Sequence, residues 1–239
     1  GLSENVVNLT LARIEGDYFP EDPDVLIRDG VPRGIINTQN IEQTIRSLVA
    51  RSLGTGDFDR LPIPFRALAT DLETGEPVVL RSGDLATVLR ASMSAPGLLA
   101  PVEIGGRMLV DGGLVDNLPV SLARTMGVDV LIAVDVSFPL AERDGLESAL
   151  DVTNQMIGIM VRRGTRDSRA LLTPQDVLVE PDLGRMTAVE FTKVPQVMAA
   201  GEAAAGAAGS RLRLAGIHIP AGIDLSRAKR ALPRHFLYL

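Results

Sequence analysis

The stretch Arg107–Gly113, RMLVDGG, constrains the fold of this chain more than any other. Just before it stand PVEI and the pair Gly105-Gly106. Two short β-prone runs around a two-residue Gly-Gly turn predict a hairpin, because primed turns need positive φ at their centre. The second strand runs straight into Asp111. Gly112 and Gly113 then free the backbone to turn tightly beside the carboxylate. Upstream, DLATVLRASMS predicts a short helix with Leu85, Val88, Leu89 and Ser92 on one face, Asp84 as N-cap and Pro96 beyond its end. Downstream, Asn117-Leu118-Pro119 opens a second helix that Gly127 closes. VDVLIAVDV then reads as a strand buried on both faces of a parallel sheet. Strand, glycine loop, helix and buried strand predict a βαβ unit with a carboxylate at the carboxyl end of its first strand, where open α/β sheets place their chemistry.

The remaining chain supplies the elements such a sheet needs. GIINTQNIEQTIRSLVARSL is an amphipathic helix capped by Asn37 or Thr38, with Ile41, Ile45, Leu48 and Val49 at helical spacing. In it, Gln39 and Asn40 read as capping or packing residues. IPFRALATDLETGEPVVLRSG predicts two strands around a turn at Glu73-Thr74-Gly75, and the acids Asp71, Glu73 and Glu76 read as its solvated end, since their spacing fits no cation loop. SALDVTNQMIGIMVRRGTRDSRALL is a long helix. Its Leu150, Met156, Ile157, Ile159 and Met160 read as a core stripe, and Arg162, Arg163 and Arg166 as a solvated face. DVLVEPDLG gives a further strand closed by a turn at Asp182, and residues 195–209 an alanine-rich helix. NVVNLTLARI and IHIPAGIDL read as strands, SRAKRALPRHFLYL as a basic, partly apolar tail.

The run RASMSAPGLLAPVEIGGRMLVDGGLVDNLPVSLARTMGVDVLIAVDVS resembles the patatin-like phospholipases, closest to their bacterial and neuropathy-target-esterase-like branch. S-x-S-x-P, a hairpin, D-G-G, D-N-x-P and V-D-V in this order make the resemblance specific. It implies an α/β fold, a three-layer α/β/α sandwich around a largely parallel sheet, with strands from IPFRALAT, RMLV, VDVLIAVDV and DVLVE. It also implies a serine lipid acyl hydrolase of phospholipase A or esterase type working with a Ser–Asp dyad. Asp111 would be the dyad's aspartate and Gly112 and Gly113 its motif loop. The family's nucleophile lies in G-x-S-x-G, and no such string occurs in the 239 residues. The nearest, around Ser3, lacks the closing glycine, while Ser92 and Ser94 stand at a helix end and read as capping or packing. The resemblance therefore reads residues 1–209 as the C-terminal part of the family domain, with its nucleophile segment upstream or on a second chain, and leaves 210–239 as an unassigned tail. The rival reading is a non-catalytic relative or fragment that binds lipid or a protein partner.

Composition narrows the chemistry. The chain has no cysteine and only two histidines, His218 and His235, so thiolate chemistry, cysteine metal sites and a histidine-based triad are excluded or disfavoured. No cofactor and no metal are expected. A net charge of −6 argues against nucleic acid as partner; the expected partners are a lipid or ester substrate and a membrane surface. No run reaches the ~18 apolar residues of a spanning helix, which reads as a soluble or peripheral chain of unknown compartment. Aspartate is a weak base at ~3.9. It serves when held ~2.6–3.2 Å from a hydroxyl and partly desolvated, which raises its pKa. The alternative role for Asp111 is to cap its own loop.

Overall fold

The structure is a computed structural model and describes residues 27–28, 31–32, 38–50, 54–184, 186 and 193–214. The expected strands at NVVNLTLARI and IHIPAGIDL, the basic tail, Ser3 and the side chains of Gln39 and Asn40 lie outside the described residues. The chain divides into two compact units, Gly1–Val115 and Asp116–Leu239.

The first unit begins with a two-residue pair, β1 (Ile27–Arg28) and β2 (Val31–Pro32), and helix α1 (Thr38–Leu48). Its centre is a four-stranded sheet in the order β4-β3-β6-β5. Strands β3 (Ala67–Asp71) and β4 (Pro77–Leu80) form one hairpin, β5 (Val102–Ile104) and β6 (Arg107–Asp111) the other. All three pairings in this sheet are antiparallel. The largely parallel sheet expected from the sequence is thus corrected for this unit. Two of the three pairings have a local cause, since each hairpin closes by a tight turn and a parallel pair needs a crossover of a dozen or more residues; the third, β3 with β6, is long-range. Gly105 and Gly106 adopt φ of +62° and +76°, the primed-turn geometry that the Gly-Gly pair predicts.

Helix α2 (Leu85–Ser92) covers one face of this sheet. Asp84 caps it, its carboxylate accepting the Thr87 amide at 3.1 Å, and also pairs with Arg46 of α1 at 2.8 Å. Leu85, Val88 and Ala91 from the helix meet Ala67, Ala69 and Leu109 from the sheet, with Phe58 and Leu80 closing the core. The hairpin end at Asp71 differs in part from the solvated acidic cluster expected. Glu73 and Glu76 are exposed, whereas Asp71 is buried and accepts the Glu73 amide at 3.0 Å.

The chain leaves β6 through the single turn α3 (Gly113–Asp116), then α4 (Val120–Thr125). The second unit holds one parallel pair, β7 (Ile132–Val134) with β8 (Val177–Val179), joined by α5 (Ala149–Arg169). The βαβ unit is therefore β7–α5–β8; the expected pairing of the β6 and β7 segments in one sheet does not occur among the described residues. The run VDVLIAVDV forms a strand only over its central three residues. Before them, Leu131 donates its amide to Asp176 at 2.8 Å; after them, Ser137 donates to Asp135 at 2.9 Å and turns the chain away.

Helix α5 starts with a capping box, in which Ser148 and Asp151 satisfy each other's backbone amides. Three members of its apolar stripe face outward rather than into a core: Met156, Ile159 and Met160 are 50–64% exposed, while Ile157 is half-buried. Small groups also line the inward face. Thr165 is buried, and Gly158 lets Leu140 approach to 3.2 Å of where a Cβ would stand. Asn117 reaches Ser137 and Thr165 at 3.2 and 3.4 Å, and Asp116 accepts from Ser168 at 2.9 Å. The D-N-x-P segment is thereby tied to α5. Helices α6 (Val194–Ala207) and α7 (Gly209–Leu214) close the described chain. No described helix is long and apolar enough to cross a membrane.

Asp176 ties the second unit together. Its buried carboxylate accepts the amides of Leu131 and Thr173 and the Thr173 hydroxyl, and it pairs with Arg124 of α4. Burial alone pushes this carboxyl up, but those hydrogen bonds and Arg124 outweigh it and hold it below its usual value. Asp176→Ala strands the Leu131 amide and the Arg124 charge, and should cost about 3 kcal/mol, the low end for a broken buried pair. A depressed folded-state pKa contributes stability above the unfolded value, near ~3.9, and loses it as pH falls through the folded one. Urea melts at pH 7 and pH 3 should therefore show the wild-type advantage over Asp176→Ala shrinking at the lower pH.

Candidate active site

Asp111 is the last residue of β6 and lies at its carboxyl end, as the sequence predicts. Its backbone is held on both sides. Across the ladder it pairs with Ala69 of β3, and the Thr70 hydroxyl donates to its carbonyl at 2.7 Å. From the end of α2, the Ser94 carbonyl accepts the Asp111 amide at 3.0 Å and the Ser92 carbonyl accepts the Gly112 amide at 3.4 Å. The Asp111 main chain is thus fixed by one sheet strand and one helix terminus.

The two motif glycines do different things from what tight turning alone predicts. Neither Gly112 nor Gly113 has positive φ. Gly112 is buried, and a Cβ built on it would overlap the carbonyl group of Leu68 in β3. That carbonyl is itself held by the Ser92 hydroxyl at 2.7 Å. Glycine at 112 therefore answers a close approach of two backbones. Gly113 contributes its amide, which donates to Asp111 Oδ1 at 2.7 Å.

That bond leaves the carboxylate half committed. Oδ2 accepts no hydrogen bond from a described residue, and no unpartnered side-chain oxygen among them is fully buried, so Oδ2 opens onto accessible space. No cation lies within ion-pair distance of Asp111 among the described residues. Burial pushes its carboxyl above the usual carboxylate range, and the Gly113 amide pulls only partly back. A desolvated carboxylate with one anchored and one free oxygen is equipped to take a proton from a hydroxyl placed against Oδ2.

Ser92 and Ser94 are not placed as nucleophiles. The Ser92 hydroxyl donates to Leu68; the Ser94 hydroxyl is fully buried between the Arg90 guanidinium and the Arg90 carbonyl. Asp182 accepts the Gly184 amide at 3.0 Å and is an exposed turn residue. No group of three or more acids or histidines positioned for a metal occurs among the described residues. Reading the sequence missed Arg90, Thr70 and the Leu68 carbonyl. Only Arg90 left a trace, as the one charge in LATVLRAS that falls among apolar residues; the other two depend on strand pairing.

A family model described as "Patatin-like phospholipase" matches residues 3–124, just over half of the chain. The chain belongs to this family. An uncharacterised NTE family protein of Mycobacterium tuberculosis is 36% identical over 129 residues, covering 54% of this chain and 34% of that protein. A second from the same organism is 28% identical over 183 residues, covering 67% and 31%. The lysophospholipase NTE1 of Saccharomyces cerevisiae is 35% identical over 131 residues, covering 46% and 8%. This chain spans about a third or less of each relative's length.

Two substitutions test this geometry. Gly112→Ala should destabilise by ~1–3 kcal/mol, the range for overpacking, because its Cβ meets rigid backbone rather than a side chain that can move aside; thermal melts measure it. Asp111→Asn should do the opposite at neutral pH. A carboxyl whose folded pKa is raised costs stability as pH climbs from the unfolded value through the folded one. The uncharged amide avoids that cost and still accepts from Gly113. Melts at pH 7 should favour Asp111→Asn, and the gain should vanish near pH 3.

Proposed function

We propose that this chain carries the base of a serine lipid acyl hydrolase, of phospholipase A or esterase type, with Asp111 as the aspartate of a Ser–Asp dyad. The state of the Asp111 carboxylate among the described residues carries this reading: half-buried, with no cation in ion-pair distance, anchored through Oδ1 to Gly113 and without a hydrogen-bond donor at Oδ2. The nucleophile belongs to a G-x-S-x-G elbow on an upstream segment or a second chain. Residues 1–209 are then the C-terminal part of the domain, with 210–239 a tail of separate role. In the complete domain the sheet is largely parallel within a three-layer α/β/α sandwich, a reading supported by the parallel β7–β8 pair around α5.

Chemically, Oδ2 takes the proton as the serine oxygen attacks the acyl carbonyl, and the acidified carboxyl returns it to the leaving alcohol. Water, deprotonated by the same oxygen, then attacks the acyl-enzyme; the bond to the serine oxygen breaks, the carboxyl returns the proton to that oxygen, and the fatty acid leaves. The substrate is a carboxylic ester of a lipid, met at a membrane surface; the lysophospholipase activity named for the yeast relative is of this class. No nucleic acid, cofactor or metal takes part in this reading. The alternative is a non-catalytic protein that binds lipid or a partner.

A fluorophosphonate probe needs an activated serine, so it should not label the 239-residue chain by itself. Stoichiometric labelling at Ser3, Ser92 or Ser94, counted by intact mass and located by peptide mapping, would show that the nucleophile lies in this chain and overturn the upstream assignment. In the enzyme that includes the G-x-S-x-G segment, Asp111→Asn should lower kcat by at least ~10²-fold with KM little changed. Full activity of a folded Asp111→Asn enzyme would end the dyad reading; no ester hydrolysis by the wild-type enzyme that includes this segment would favour the binding one.

A further inference from the structure

We propose that Arg90 is a positioning residue for Asp111, acting through Ser94. Arg90 lies in the last turn of α2 and is 4% exposed, yet no described carboxylate is within ion-pair distance of it. The Glu42 carboxylate of α1 acts on it from beyond ion-pair distance; burying a cation with no contact ion pair is costly, and a core site beside Val88 and Ala91 would ordinarily take an apolar side chain. The guanidinium spends its donors on two neutral acceptors: the Ser94 hydroxyl at 2.5 Å and the Ala100 carbonyl at 3.0 Å.

Those two contacts close the chain between Ser94 and Ala100 into a fixed loop. A planar guanidinium holds two acceptors in fixed directions at once, whereas the rotatable donors of a lysine ammonium impose no such geometry. Ser94 is the link to the site. Its hydroxyl donates to the Arg90 carbonyl at 2.7 Å, and its own carbonyl accepts the Asp111 amide at 3.0 Å. One residue therefore separates the guanidinium from the Asp111 backbone. The same helix end sets the Gly112 amide through Ser92 and, through the Ser92 hydroxyl, the Leu68 carbonyl that abuts Gly112. Arg90 does not touch the reacting atoms. It fixes the direction from which Asp111 leaves the sheet, and with it the depth to which the carboxylate is desolvated.

The catalytic meaning of this role rests on the dyad reading, but its geometry is testable without it. The other charged groups on elements around Asp111 are Asp71 on β3, Arg107 on β6 and Asp116 on α3; Asp71 and Arg107 face each other at 3.9 Å. Arg90→Lys keeps the charge and removes the fork, while Ser94→Ala keeps Arg90 and removes its main acceptor by deleting one oxygen. The Asp111 carboxyl is followed by carbon-13 NMR titration in the 239-residue chain and in both variants. The expected result is that its midpoint moves down toward the ordinary carboxylate value in both, as the loop loosens and water reaches the group. In the enzyme with its nucleophile segment, the same variants should lower kcat by at least about tenfold and displace the acid limb of the rate profile in the same direction, with KM little changed. An unchanged midpoint in folded Arg90→Lys or Ser94→Ala overturns the proposal, even if melting temperature falls, since that is what mere packing would give. If Arg90→Lys does not fold, Ser94→Ala alone decides. A midpoint that moves while kcat stays constant leaves Arg90 as the positioning residue and counts against Asp111 as base.

Discussion

The contact on which the first unit depends is between two backbones. The Leu68 carbonyl of β3 meets Gly112, the residue that follows β6, where no Cβ would fit. Everything chemical in the unit follows from that approach. It ends β6 at Asp111 and brings the terminus of α2 close enough to receive both the Asp111 and Gly112 amides. It also turns the Gly113 amide back onto Oδ1. The carboxylate is positioned by main-chain groups almost entirely, and main-chain groups carry no rotamer freedom.

Such a site holds its carboxyl in a state it would not choose in water. Burial raises the proton affinity, and one amide is too little to cancel it. Elsewhere the same protein shows how a carboxylate is treated when stability is the purpose. Asp176 receives two amides, a hydroxyl and an arginine, and is held below its usual range. The contrast between these two aspartates, one saturated and one left half open among the described residues, is the physical reason for proposing chemistry at Asp111 and architecture at Asp176.

Much of this was legible in the residue order where the cause is local. Gly105-Gly106 dictates its hairpin through backbone sterics, Asp84 caps α2 within its own first turn, and Asp111 falls at a strand end because the strand ends in glycines. The pairing of strands was not legible. Antiparallel β3–β6 contact joins residues some forty positions apart, and nothing in either strand's composition announces the partner. VDVLIAVDV shortened to Ile132–Val134 because distant groups, above all Asp176, claim the amides at its edge. In α5, periodicity identified a stripe but not that Met156, Ile159 and Met160 would face outward. The small residues Gly158 and Thr165 turn inward, which a hydrophobicity argument ranks last.

That reversal leaves the thioether sulfurs of Met156 and Met160 on the outside of a regular helix, four residues apart. Thioethers oxidise to polar sulfoxides when peroxide reaches them. The two positions are therefore built-in reporters of coverage: any bilayer, neighbouring domain or second copy that comes to lie on α5 will shield them, and their oxidation rate will record the encounter without a label having been added.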